Sequence, residues 1–431
     1  MDEWQQRPVR ELAEAIAAGT LTPAPVLQAC LRKIDARERT LAAWAHVNRA
    51  AAPAIRGDAL AAAPLCGIPI GVKDIIDTAD MPTCYGSAIY EGFRPAADAA
   101  CVALARAAGA VVLGKTVTAE FGLSSPGATR NPHNEAHTPG ASSSGSAAAV
   151  AAGMVPLALG TQTGGSIIRP ASYCGIVGYK PSFGLIDRTG VKPLAHSLDT
   201  IGVLTRTVDD AQYFAGVLAR RELAMPLHGA LRIGRYGAQH WGNLSAAAQS
   251  ALQQADEALL LAGAVIGERP LPSWHDELQA AFSTIVLWDV AATLAFEKLQ
   301  HLPRLREETR KVLGYDTPAP AEYDEALIQG ETWRAALDAL FGDCDVLLAP
   351  AVPDVAPEGI LHSGDPSYCV PWSLLHTPSL AVPVTTGARG LPIGVQLIAR
   401  IGDDARLLAV GRLLESTLQA MRASQDQAEP A

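Results

Sequence analysis

Apolar runs of strand length return again and again between segments with helical spacing, and this alternation limits what the chain can fold into more than any other feature. Residues 68–76 read as a buried strand running into a turn. Asp98 is placed to cap a helix that Gly109 closes, and Val111-Val-Leu-Gly follows as a strand. Further on, Asp345-Val-Leu-Leu-Ala, Ser379-Leu-Ala-Val-Pro-Val and Ile393-Gly-Val-Gln-Leu-Ile read as strands, while residues 245–263, 273–302 and 319–341 are helical by period and form a cover over one side. The pattern is that of an α/β fold. Val9, Leu12, Ala13 and Ile16 repeat at helical spacing up to Gly19, and Thr22 with Pro23 opens a second helix carrying Leu27, Cys30, Leu31 and Ile34. These two make a peripheral pair within residues 1–60. A closing helix spans about residues 403–421, and the polar stretch 423–431 reads as a disordered tail.

A chain of 431 residues, 49% hydrophobic, can bury one large core or two to three ordinary ones, so length leaves the domain count open. The net charge is −10 and the basic residues are scattered, so there is no stripe to neutralise phosphates and nucleic acid is not an expected partner. Residues 147–159, the longest small-residue apolar stretch, are broken by Gly153 and Pro156 and fall short of the ~20 residues a membrane span needs. The opening Met1-Asp-Glu-Trp-Gln-Gln-Arg lacks the apolar core of a secretion signal, and the expectation is a cytoplasmic chain away from membranes. The seven cysteines are isolated in sequence and suggest no metal site; Cys174 lacks a nearby base that would make it a nucleophile.

Three segments carry chemistry. In Gly67-Ile-Pro-Ile-Gly-Val-Lys73-Asp a lysine follows directly on an apolar strand. Taking an ammonium out of water disfavours its charge, and a neutral amine is a competent general base near neutral pH; the plainer alternative is a strand-end lysine that reaches solvent. Gly140-Ala-Ser-Ser-Ser-Gly-Ser enters a short small-residue helix over residues 145–153, where a hydroxyl can simply cap the free amides. The block 160–178 is too rich in turn residues to be one element, and within it Gly164 and Gly165 precede Ser166. Paired glycines let backbone amides converge on an anion, either a phosphate or the transient oxyanion of acyl transfer. The Gly-Lys-Ser/Thr ending of a phosphate loop is absent.

Taken together and in this order, the three segments resemble the amidase signature family of Ser-cisSer-Lys amide hydrolases. Asn131-Pro132, Tyr173-Cys-Gly-Ile-Val-Gly-Tyr-Lys-Pro-Ser, Ser197-Leu-Asp-Thr-Ile-Gly with Arg206, and Gly390-Leu-Pro-Ile-Gly-Val-Gln extend the likeness over most of the chain. The resemblance implies a single α/β domain over residues 1–422, a mixed twisted sheet of roughly ten strands covered by helices, with the signature core at 61–210 and a helical cover at 230–345. It implies that Ser166 attacks the amide carbonyl, that Ser142, on a cis peptide bond, relays the proton to neutral Lys73, and that Ser143 orients the relay. Backbone amides of Thr163, Gly164, Gly165 and Ser166 would form the oxyanion hole, with no metal or organic cofactor.

Two positions depart from the family pattern. Gln162 stands where an acid is expected, and the arginine two places after the nucleophile has moved to Arg169, leaving Ile168. Losing the acid alone would strand a buried cation, so the two changes read as one replacement. Ala141 and Ser144 replace glycines. Asp199 is expected to fix a loop by hydrogen bonds, and strand alternation turns Asp74 away from Lys73. The variable walls that set the substrate are expected in residues 121–137 and 368–377, with Trp372 and Leu375 as apolar wall residues; His133 and His137 lie within reach of substrate, although a solvated loop histidine is the plainer reading. The leading function is a hydrolase of small carboxamides whose partners are its substrate and, at most, a second copy of itself. Its alternatives are an amidotransferase subunit that releases ammonia from glutamine, for which the chain looks short and plain, and a catalytically silent binding protein, which the intact Lys73, Ser142 and Ser166 argue against.

Overall fold

In the computed structural model, residues 7–54 and 63–428 are described. The expected boundary near residue 60 and the last three residues of the tail lie outside them. Eleven strands are present among the described residues: β1 (Trp44–Val47), β2 (Pro69–Lys73), β3 (Val111–Thr116), β4 (Leu157–Gln162), β5 (Val177–Lys180), β6 (Thr200–Thr205), β7 (Arg232–Tyr236), β8 (Val265–Arg269), β9 (Val346–Pro350), β10 (Ser379–Thr386) and β11 (Pro392–Ile398). They form one sheet in the order β1-β3-β2-β4-β6-β5-β10-β11-β9-β7-β8. β2 runs parallel to β3 and β4, and β7 parallel to β8 and β9. The remaining pairs are antiparallel, so the sheet is mixed. Every residue of β2, β4, β5, β6, β9 and β11 is buried, as expected of strands covered on both faces. The fold is the single α/β domain that the resemblance implied.

Helices α1 (Val9–Ala17) and α2 (Pro23–Leu41) form the N-terminal pair; α1 buries Val9, Leu12, Ala13 and Ile16, and α2 starts at Pro23 behind the extended Thr22. Helix α3 (Ala100–Ala107) departs from expectation at its start. Its cap position is Ala99, and Asp98 instead accepts from the Ala79 amide at 2.8 Å and pairs with Arg106 at 3.0 Å. Lying one residue too early, Asp98 ties the entering loop back on itself. Helix α4 (Ser144–Ala151) carries the serine-rich turn, and the glycine-dense block breaks into the end of β4, a loop, α5 (Ile168–Cys174) and β5.

Helix α6 (Val208–Ala219) follows, capped by the Thr207 hydroxyl, and α7 (Ala246–Leu261) is capped by Ser245. The cover is more divided than its periodicity suggests: residues 273–302 give α8 (Glu277–Thr293) and α9 (Ala295–His301), α10 (Glu307–Gly314) follows, and 319–341 split into α11 (Pro320–Ala335) and α12 (Leu337–Phe341). These helices are held by a second apolar cluster, in which Leu278, Ile285, Trp333, Phe341 and Trp372 meet, with Trp372 on the short helix α13 (Val370–Leu374). The last helix, α14 (Asp404–Ala428), runs past Met421, so residues 423–428 are helical and not a disordered tail. No glycine or proline interrupts this segment before Pro430. Among the described residues no single helix is long and apolar enough to cross a membrane.

Candidate active site

The parallel trio β3-β2-β4, towards one edge of the sheet, brings the three chemical segments together. Val72 of β2 lies opposite Leu159 of β4, so both strands end side by side, and Lys73 at the end of β2 meets Thr161 near the end of β4. Lys73 is fully buried. Its Nζ lies 2.8 Å from Ser142 Oγ, 2.6 Å from Thr161 Oγ1 and 3.3 Å from the Thr161 carbonyl. Burial pushes the amine down to about 7, with the charge of Asp199 opposing. Asp74 turns to the other side, 3.5 Å from Lys115 and in contact with the Cys84 amide, and Asp77 accepts from Tyr85 OH at 2.9 Å. Among the described residues, the Lys73–Ser142 bond therefore forms without a carboxylate hydrogen-bonded to the amine.

The peptide bond between Ala141 and Ser142 is cis, as the resemblance implied. Just beyond it, the Ser143 amide donates to the Ser166 carbonyl at 3.3 Å, which draws the two serine segments together. Ser143 Oγ bonds the backbone of Thr161, donating to its carbonyl at 3.2 Å and accepting from its amide at 3.3 Å. It thus braces the strand end that holds Lys73 and does not touch Ser142 Oγ. Ser166 lies in the loop just before α5; its hydroxyl has no hydrogen-bond partner among the described residues. In the same loop the amides of Thr163, Gly164, Gly165 and Ser166 have no acceptor among the described residues, a set of free donors beside a free hydroxyl. A side chain on Gly165 would come within 3.1 Å of Cys369 Cβ, so the loop packs where only glycine fits well.

Gln162 and Arg169 are not partners. Gln162 Oε1 accepts from the amides of Ile167 and Ile168 at 2.8 and 3.1 Å, and its Nε2 donates to Ser373 Oγ, which donates in turn to the Gly164 carbonyl. A neutral amide thus closes the loop around Ser166. Arg169 is buried and gives its guanidinium to the carbonyls of Ala141 and Gly364 at 2.6 and 2.7 Å, so it clamps the peptide that precedes Ser142. Asp199 holds the other side of the loop, accepting from Thr163 Oγ1 at 2.6 Å and from the amides of Leu194 and Ala195.

Around this cluster the expected walls are placed unequally. Phe121, Thr161, Thr163, Arg188, Lys192 and Asp199 line a narrow slot next to the lysine. Trp372 borders a separate cleft of about 550 Å³ at the ends of β7 and β9, edge-on to Tyr236 at 4.7 Å. Leu375 is fully buried in the second apolar cluster and is no wall residue. His133 sits at the far end of α5 from Ser166, its ring 2.9 Å from the Cys174 carbonyl, because Asn131 folds the loop onto that end. His137 is buried against the Ala356 carbonyl at 2.8 Å. Neither histidine reaches the site. Burial pushes the Cys174 thiol far above its ordinary range, which removes it as a nucleophile. Thr161 and Ser373 escape sequence reasoning, since their roles depend on strand register and on a contact 209 residues apart in the chain.

The parallel strands β2 and β4 thus gather a buried lysine, a cis-bonded serine and a serine beside free backbone amides in one α/β sheet. The family model for amidase matches residues 25–408, and the chain belongs to the amidase family. It is 32% identical to a glutamyl-tRNA(Gln) amidotransferase subunit of Oleidesulfovibrio alaskensis, over 95% of this chain and 96% of that one, and 35% identical to the corresponding subunit of Chloroflexus aggregans, over 92% and 93%. Among solved structures, it resembles the peptide amidase of Stenotrophomonas maltophilia (29% identity, TM-score 0.82, covering 97% and 98% of the two chains). It also resembles a chain of a vestigial complex linked to the origins of an s-triazine catabolic enzyme (30%, TM-score 0.86, 95% and 98%). The amidotransferase subunits match nearly end to end, and the alignment with the first of them runs over 480 positions against the 431 residues of this chain.

Proposed function

We propose that the chain hydrolyses the C–N bond of a small carboxamide through an acyl-enzyme on Ser166. The observation that carries this reading is a fully buried lysine, held near neutrality by its burial, hydrogen-bonded at 2.8 Å to the cis-bonded Ser142. Ser166 Oγ attacks the carbonyl carbon; its proton passes through Ser142 to Lys73 Nζ, and the four free amides receive the oxyanion. Protonated Lys73 returns the proton through Ser142 to the leaving nitrogen as the C–N bond breaks. Water then enters by the same relay and releases the carboxylate.

A second reading has a specific observation in its favour: the two relatives named above, 32% and 35% identical, are amidotransferase subunits. There the amide would be glutamine and the ammonia would pass to a partner. The triad chemistry is the same, and only the substrate and the fate of ammonia differ.

Ammonia release by the purified chain from aliphatic, aromatic, ureido and amino-acid amides, glutamine included, tests both. Turnover of simple amides by the isolated chain supports the amidase reading; activity on glutamine that rises with a co-purifying protein supports the second. A fluorophosphonate should leave one adduct, on Ser166, and Ser166→Ala should abolish turnover. A Ser166→Ala variant that still hydrolyses the best amide, or an adduct on Ser143, overturns the assignment of the nucleophile.

A further inference from the structure

Resting on that reading, we propose that Asp199 is a positioning residue of the reaction: through Thr163 it fixes the loop that receives the oxyanion, and it is the anion that answers Lys73 when that amine carries the proton. The carboxylate is itself held rigidly. One oxygen accepts from Thr163 Oγ1 at 2.6 Å, and the other accepts from the Leu194 and Ala195 amides at 2.8 and 3.1 Å. Burial pushes the acid up, and these three donors together with the charge of Arg188 pull the other way, favouring the ionised form. Thr163 belongs to the run of free amides, so fixing its side chain fixes the direction of its N–H.

The charge argument follows from what else surrounds the amine. Ser142 and Thr161 are neutral. Asp74, next in the chain, faces Lys115 at 3.5 Å. Across the slot Lys192 is taken by the buried Glu297 at 2.5 Å, and Arg188 donates to the Asp199 carbonyl at 3.3 Å. Asp199 lines the same slot as Thr161, the residue bonded to Lys73 Nζ, and among these groups it is the carboxylate left to answer the charge of that amine. The amine is poised near neutrality as a base, yet its protonated form, produced at each attack on the amide, has a fixed counter-charge inside the site.

Two substitutions separate the two roles. Thr163→Val breaks the link to the loop and leaves the carboxylate, so kcat should fall about tenfold while the acid limb of the kcat/KM profile stays in place. Asp199→Asn removes the charge, so kcat should fall and the acid limb should move about one pH unit towards acid, because protonated Lys73 loses its counter-charge. If the asparagine variant fails to fold by circular dichroism, Asp199→Ser carries the same expectation. An unmoved limb in a folded, charge-free variant overturns the charge role, and an unchanged kcat in Thr163→Val overturns the positioning role. A wild-type profile without an acid limb near neutrality would instead sink the assignment of Lys73 as base, and this inference with it.

Discussion

At the scale of single residues, the position of Lys73 makes its chemistry depend on pH in a defined direction. Free lysine holds its proton up to about 10.4, but here burial brings the amine down to about 7. A base works in its neutral form, so kcat/KM should climb about tenfold per pH unit below 7 and level off above it. A profile still climbing at pH 10, with chemistry rate-limiting, would take Lys73 out of the base role. The lysine and both serines of the cluster were legible through the resemblance that the three segments carry in order, since each segment alone also allowed a plainer reading. Thr161 was not, since a threonine five residues before Ser166 becomes a partner of Lys73 only through the parallel register of β2 and β4. The replacement of a charged pair was half legible: Gln162 and Arg169 both depart from the pattern, but the structure gives them separate tasks, one closing the loop and one gripping the Ala141 carbonyl.

Among the elements, α4 shows how a local sequence serves a distant site. Its Ala-rich run was readable as a short helix, and the reason it must be small is visible only in three dimensions. A Cβ on Gly145 would stand 2.2 Å from the Ala43 carbonyl oxygen and 2.3 Å from the Val117 amide nitrogen, both backbone atoms that cannot swing aside. The same glycine lies three residues beyond Ser142 in the chain, and its amide donates to the Val117 carbonyl at 2.9 Å. Gly145→Ala should therefore cost about 1–3 kcal/mol of stability by overpacking and also lower kcat, as the helix start backs away and carries Ser142 from Lys73. Chemical denaturation and initial rates check this together; a variant with unchanged midpoint and rate would show that α4 can slide without disturbing the relay. The cover helices illustrate the opposite limit. Their period was clear, but the breaks at Leu294 and Ala336 carry no glycine or proline to announce them.

Over the whole molecule, one sheet buries ionisable groups at several points, and this sets how stability responds to pH. Lys73 and Lys180 are both fully buried, and burial brings each from 10.5 to about 7. Lys180 donates to the carbonyls of Thr377 and Pro181, so it is held by dipoles, with no carboxylate among the described residues in hydrogen-bond contact. Between pH 7 and 10.5 the unfolded chain takes up two protons that the folded chain refuses. Stability contributed by these lysines is therefore complete above 10.5 and lost as pH falls through that window, at about 1.4 kcal/mol per pH unit for each lysine. Acids with raised values act in the lower window: Glu415, pushed up by burial to about 7, and Asp74, pushed up to about 6, stay protonated in the folded state while the unfolded chain ionises from about 4 upwards, so their contribution fades as pH rises to neutrality. The four groups together place a minimum of stability close to pH 7. Thermal melts should accordingly show Tm rising from pH 7 to pH 9, and the rise should shrink in a Lys73→Met, Lys180→Met double variant that has lost both titrations. A double variant whose Tm climbs as steeply as the wild type would mean that these amines remain charged in the folded protein, which would also undo the case for Lys73 as a neutral base.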